Sequence, residues 1–223
     1  MNQTDDNISG AITQLILKEQ FFAHLLGNLS REISDRTPTI GLEKTHGGYN
    51  LIVNPEYFDQ FLPTICHANC YTKALQACRE RTQNLELGLK ASLEITHSPE
   101  EVQEVLEEVQ EEIEDATKEM TKKMRVAAVK HEALHFVFNH VFRAEEYENQ
   151  EIYNLAADLV VNQYLDPWPS LPEAFTLELL QEAGIILKNG ESVGYYYEEL
   201  LKILQQGFLQ EEENPIIHFP VLK

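Results

Sequence analysis

Two histidines and a glutamate stand at a spacing that suits metal-assisted hydrolysis: His131-Glu132-Ala133-Leu134-His135. Residues four apart on a helix share a face, so both imidazoles can converge on one ion. Glu132 is turned about 100° from His131, too far round to ligate on that face and well placed to hold a water. Two neutral imidazoles, a third protein ligand, one open position and a carboxylate base are what a zinc hydrolase needs. The stretch around them predicts helix, because Val126, Val129, Ala133, Phe136, Val137 and Val141 recur at steps of three and four. A plainer reading is a core helix with two hydrogen-bonded histidines. Against it, Lys130, His131, Glu132 and His135 together would bury several polar groups that all need partners, and a metal supplies one.

The rest of the site is expected downstream. Residues 149–165 predict a second helix, capped by Asn149 and stopped by Asp166-Pro167. Ile152, Leu155, Ala156, Leu159 and Val160 form its apolar side. Asn154, Asp158 and Asn162 form a polar stripe at four-residue spacing, where a solvent face would favour Lys and Glu. Asp158 is the carboxylate of that stripe and the choice for third ligand. Asn154 and Asn162 are then expected to hydrogen-bond the ligands. The alternative for Asp158 is a buried carboxylate that orients a ligand histidine. The alternative third ligand is His140. On an unbroken helix it points about 160° away from the histidine pair, so it ligates only if the chain breaks near Asn139, where no glycine eases a turn.

His131-Glu132-x2-His135-x4-His140-x2-Arg143, followed by Asn154-x3-Asp158-x3-Asn162, resembles the predicted metal-dependent peptidases, a zincin-like family often joined to a von Willebrand factor A-like domain. Asn54-Pro55-x2-Phe58 upstream and Ser192-x3-Tyr196-Tyr197-x2-Leu200 downstream fit the same pattern. The likeness covers roughly residues 35–63 and 120–205. It implies a zincin-like core, a zinc ion on His131 and His135, Glu132 as base and a functional role for Asp158. Related zincins carry Glu-x-x-x-Asp on the second helix with the Glu as ligand. This chain has Asn154 there, and a neutral amide binds zinc poorly, which moves the expectation to Asp158. The implied reaction is peptide-bond hydrolysis by a zinc-activated water. The rival is a non-enzymatic module in which zinc staples two helices and an acidic arm docks a partner.

These elements must be positioned by a chain of 223 residues, long enough for one domain with a proper core. The expected class is α+β, mostly helical, with a small β-hairpin or sheet and an inserted acidic helical arm. The whole of 1–223 is taken as a single domain, with 64–120 as a helical insertion. The net charge of −20 argues against binding nucleic acid or anionic membrane, which both rely on clustered Lys and Arg. No apolar run approaches the roughly 20 residues of a membrane span. Asp5 and Asp6 stand where a signal peptide carries positive charge. Cys66, Cys70 and Cys78 are odd in number, unlike a secreted disulfide framework. The expected compartment is the cytoplasm. Cys66-His67-x2-Cys70 fits no standard zinc finger.

In chain order, residues 8–33 predict one amphipathic helix that Thr37-Pro38 breaks. Residues 39–43 and 49–53 flank Lys44-Thr-His-Gly-Gly48, a hairpin signal. In zincins such an edge strand receives extended peptide, and the hairpin is assigned that role; His46 is expected in solvent. Asn54-Pro55 opens a short helix that Pro63 halts. Ser98-Pro99-Glu100-Glu101 starts a helix whose Val102, Leu106, Val109, Ile113, Ala116 and Met120 form a heptad seam. Carboxylates crowd its first half and basic residues follow, which suits the helix dipole. Helix 99–123 either lies on the domain or docks a partner, and it runs on into the metal helix. Further helices end near Gly184 and span Ser192 to Gln205. One of Tyr195, Tyr196 and Tyr197 could donate to an oxyanion. Pro215 to Lys223 form a tail that packs back or binds a partner.

Overall fold

Val126, Ala127, Ala128, Val129 and Lys130 are all buried, and a helix buried on every face is one enclosed by its neighbours. They belong to α4 (Pro99–Val137), the central element of the computed structural model, which describes residues 3–89 and 99–208. The arm does run without a break into the helix that carries His131 and His135. Around α4 lie α1 (Gln3–Lys18), α2 (Phe22–Gly27), α3 (Leu62–Leu89) and a three-stranded sheet. Beyond it come α5 (His140–Arg143), α6 (Gln150–Asn162), α7 (Leu177–Glu182) and α8 (Val193–Phe208). The class is α+β and mostly helical, as expected.

The sheet has β1 (Ser30–Ile33), β2 (Ile40–Thr45) and β3 (Gly48–Val53) in the order β1-β3-β2. β2 and β3 form the expected antiparallel hairpin, with Lys44 opposite Tyr49 and His46 exposed in the turn. β1 pairs in parallel with β3, Ser30 against Asn50 and Ile33 against Val53. This corrects the single helix expected over residues 8–33, which is instead two helices and a strand. The cause is tertiary. Just past α1 the Glu19 carboxylate meets Lys130 Nζ at 2.8 Å and accepts from Trp168 Nε1 at 2.7 Å, and α2 then turns Phe22 and Leu26 into the core.

Pro63 does not halt the helix that begins at Asn54. Residues Tyr57–Phe61 wind as a π-turn that runs directly into α3. In α geometry the proline ring would collide with the carbonyl four residues back, and the wider turn avoids that. α3 packs against α4. On the arm Ile113 is buried and Met120 half-buried, but Ala116, expected on the seam, is exposed; Thr117 takes its place. The side chains of Val102, Leu106 and Cys78, the Ser98 cap and the tail beyond 208 lie outside what the structure describes.

Two apolar clusters fill the interior. One joins α1, α2, the sheet, the π-turn and α4 around Leu15, Leu51, Phe58 and Val129. The other joins α6 and α8 around Tyr153, Leu159, Tyr196 and Leu200. α6 contributes Val161 to the first and Leu159 to the second, so it is clamped between them. The site lies where α4 and α6 meet.

Candidate metal centre

Asn149 caps α6 as expected, its side chain accepting from Ile152 N. With both faces of α6 buried, its register against α4 is fixed, and Asp158 comes to rest beside the histidine pair. His131 Nε2 and His135 Nε2 lie 3.0 Å apart. Asp158 Oδ1 is 3.4 Å from the first and 3.1 Å from the second. Side-chain exposures are 13% for His131, 16% for His135 and 22% for Asp158, so water screens the triangle little.

The hydrogen bonds behind the triangle decide which atoms face into it. Asn162 Nδ2 donates to Phe175 O at 2.8 Å, which leaves its Oδ1 as the atom 3.1 Å from His131 Nδ1. An amide oxygen only accepts, so His131 carries its proton on Nδ1 and its Nε2 lone pair points inward. His135 Nδ1 lies 3.2 Å from His140 Nδ1; a proton donated across that contact by His135 leaves its Nε2 bare as well. Two nitrogen lone pairs and a carboxylate oxygen then meet at one point. Such atoms repel unless a cation sits among them.

A divalent metal fits this donor set. Bonds of about 2.0–2.1 Å to a tetrahedral zinc put neighbouring ligand atoms about 3.3–3.4 Å apart, close to the separations found. Among the described residues, His131, His135 and Asp158 form a group near enough to share an ion. Comparison with protein-family models, curated proteins and solved structures gives no match.

Electrostatics follows the same geometry. Burial would raise the Asp158 pKa, yet when protons rather than a cation occupy the triangle, hydrogen bonds from His131 and His135 hold it well below the usual carboxylate range. Burial would lower His131, but Asp158 and Glu132 together raise it. A proton and a metal would therefore compete for the same triangle. Glu132 is pushed up by burial, against the pull of the two histidines. It faces a cavity of about 420 Å³ that also receives His131, Asp158, Tyr57 and Phe61.

His140 corrects the continuous helix expected through Asn139. Asn139 takes φ 67° and ψ 19°, ending α4 in the left-handed conformation that Asn tolerates better than other side chains. Its carbonyl accepts from Phe142 N and Arg143 N at 3.2 Å and opens α5. The break brings His140 to His135, on the Nδ1 side of that ring, while His131 and Asp158 occupy the Nε2 side. His140 is buried, and burial followed by the His135 charge lowers its pKa to about 4. It is a neutral neighbour of the His135 ring. Asn162 does hydrogen-bond His131. Asn154 is exposed on α6 and does not join the cluster.

None of the three adjacent tyrosines reaches the cavity. Tyr196 Oη donates to Lys188 O, Tyr197 Oη accepts from Asn149 N and Tyr195 Oη accepts from Lys188 N. The phenol at the site is Tyr57, stacked on Phe61 with centroids 5.6 Å apart. Its position depends on the π-turn, and the Asn54-Pro55 helix start was the one sequence signal near it.

Proposed function

We propose that this protein is a zinc-dependent peptidase with a zincin-like core. The observation that carries the reading is the meeting of three electron-rich atoms beside a cavity that contains a half-buried glutamate. His131, His135 and Asp158 would hold the ion. Zinc bound there would lower the pKa of water toward neutrality and polarise a carbonyl. Glu132 takes the proton that water loses as it adds to the peptide carbonyl, then returns it to the amine nitrogen as the C–N bond breaks. Burial suits Glu132 to this work, since a raised carboxyl pKa brings its proton affinity nearer to working pH. Asn162 holds the His131 ring, and His140 holds His135, in the tautomers that ligation requires.

β2 is an edge strand, and its first residue, Ile40, reaches the cavity with Pro38 and Thr39. An extended peptide laid along that edge would gain main-chain hydrogen bonds and run its backbone past Glu132. The resemblance in the helical motifs, the metal helix under a small sheet and this edge agree with one another. Among the described residues no helix is long and apolar enough to cross a membrane. The unpaired thiols of Cys66 and Cys70 fit a reducing compartment such as the cytoplasm.

The test pairs two measurements. Wild-type protein should contain about one equivalent of zinc and cleave a mixed peptide library. Glu132→Gln should keep the zinc and lose cleavage. Turnover undiminished in Glu132→Gln would remove the base assignment, and absence of stoichiometric zinc would remove the site.

A further inference from the structure

The cavity beside the metal centre has a one-sided charge. Among the described residues four carboxylates line it, those of Glu56, Glu132, Asp158 and Glu173, and no lysine or arginine does. Glu132 and Asp158 are accounted for by the chemistry above. Glu56 and Glu173 are not: both are exposed at the cavity's edge, and among the described residues neither makes an ion pair. They stand at opposite ends of the chain segments that form the walls, Glu56 just before the π-turn and Glu173 in the loop between α6 and α7. Glu173 acts electrostatically on Tyr57, as Glu132 does, so Tyr57 lies within the field of both.

Between these carboxylates the walls are apolar. Tyr57 and Phe61 present a stacked aromatic pair, with Leu171 and Phe175 from the α6–α7 loop and Ile40 from β2. A greasy channel with anionic groups at its mouth suits a side chain with an aliphatic stem and a cationic end. The aromatic faces favour such a cation further. At the rim, away from the metal position, an acidic side chain would meet repulsion from Glu56 and Glu173, and a short neutral one would leave the rim unused.

We propose that the cavity selects peptides carrying lysine or arginine beside the scissile bond, with Glu173 and Glu56 as the residues that recognise the cation. This rests on the peptidase reading of the site and supplies its substrate class. Long-range attraction from the net charge of −20 would also favour basic peptides, so the specific effect must be separated from the general one.

The experiment uses zinc-loaded, full-length Glu132→Gln protein and fluorescent hexapeptides blocked at both ends, differing at one position as Lys, Leu or Glu. Binding is followed by polarisation at physiological ionic strength. The Lys peptide should bind about tenfold more tightly than the Leu peptide. Glu173→Lys and Glu56→Lys should each cut that preference about fivefold, while Glu119→Lys, on the exposed arm, should leave it within about twofold. Equal binding of the three peptides, or none, overturns the proposal. So does an equal loss of preference in Glu119→Lys and Glu173→Lys, which would assign the effect to net charge. Cleavage by wild type separates the two layers. Lys-selective binding without any cleavage would leave the cation site standing and remove the peptidase reading. Cleavage indifferent to the Lys, Leu and Glu series would do the reverse.

Discussion

His140 Nδ1 lies 3.2 Å from His135 Nδ1, so the ring nitrogen of His135 that faces away from Asp158 is itself held by a buried imidazole. A neutral His140 can take a hydrogen bond from His135, fixing the ring and keeping Nε2 free for an ion. Groups in this position typically change metal affinity by about 10–100-fold. His140→Ala should therefore weaken zinc binding by that factor, measured by competition with a chromophoric chelator, while the protein still binds one equivalent. Unchanged affinity would show that His140 only fills space.

The reach of His140 depends on one backbone conformation. Asn139 sits at φ 67°, where a β-carbon costs about 1–2 kcal/mol and glycine none. Asn139→Gly should keep or slightly raise the urea midpoint. Asn139→Val should lose roughly 2 kcal/mol and weaken zinc binding with it, because α4 would tend to continue and carry His140 off. Equal behaviour of the two variants would refute the strain.

Legibility in the sequence followed the range of the interaction. The His131-to-His135 spacing, the Asn149 cap, the stripe that contains Asp158 and the 40–53 hairpin are local patterns, and each reappears in the fold. The end of α1 was hidden because Glu19 answers to Lys130 and to Trp168, 149 residues away. The break at Asn139 carries a weaker local signal: no glycine marks it, and asparagine tolerates the left-handed turn without requiring it. Asn154 and Asp158 share a face by spacing, yet only Asp158 lies at the level where α4 crosses. Periodicity gives the face of a helix but not the height of its neighbour.

Lys130 is buried next to His131 and bridges Glu19 at 2.8 Å and the Asp166 carbonyl at 2.8 Å. This cation ties α1 and the loop after α6, which forms one cavity wall, to α4. Removing one partner of a buried pair costs about 3–5 kcal/mol; with 25% of the Glu19 side chain still exposed, Lys130→Met should fall near 3 kcal/mol. Glu19→Gln should cost less, since the amide oxygen can still accept from Trp168. Urea denaturation checks both, and a loss under 1 kcal/mol in Lys130→Met would contradict the role.

Tyr57 adds an alkaline signature. Burial first, then the Glu132 and Glu173 carboxylates, raise its pKa from 10.0 to about 12. The folded value lies above the unfolded one, so the stability linked to its proton is fully present below about pH 10. It is lost as the pH rises from there to about 12. Tyr57→Phe should flatten the alkaline fall in stability and remove one late step from the tyrosinate absorbance titration, with little change at pH 7. Tyr153 is raised by burial to about 12 as well, so one late step should remain; an undiminished late amplitude in Tyr57→Phe would take the assignment away from Tyr57.

The cavity's aromatic wall rests on a carbonyl that the chain cannot satisfy by itself. In the π-turn Leu62 N bonds to Tyr57 O, five residues back. The next such partner, for Phe58 O, is the nitrogen of Pro63, which carries no hydrogen. Arg125 fills the gap, its Nε donating to Phe58 O at 3.0 Å while Nη2 pairs with Asp59 at 3.2 Å. Asp59 in turn accepts from Thr4 and Asn7, so α1, α4 and the turn share one polar knot. Arg125→Met should cost about 2–3 kcal/mol, the penalty for a carbonyl and a carboxylate left short of donors. Pro63→Ala restores an N–H at the position Phe58 O requires. Added to Arg125→Met, it should recover about 1 kcal/mol, and a urea double-mutant cycle with no recovery would show that the carbonyl is not what Arg125 is there to satisfy.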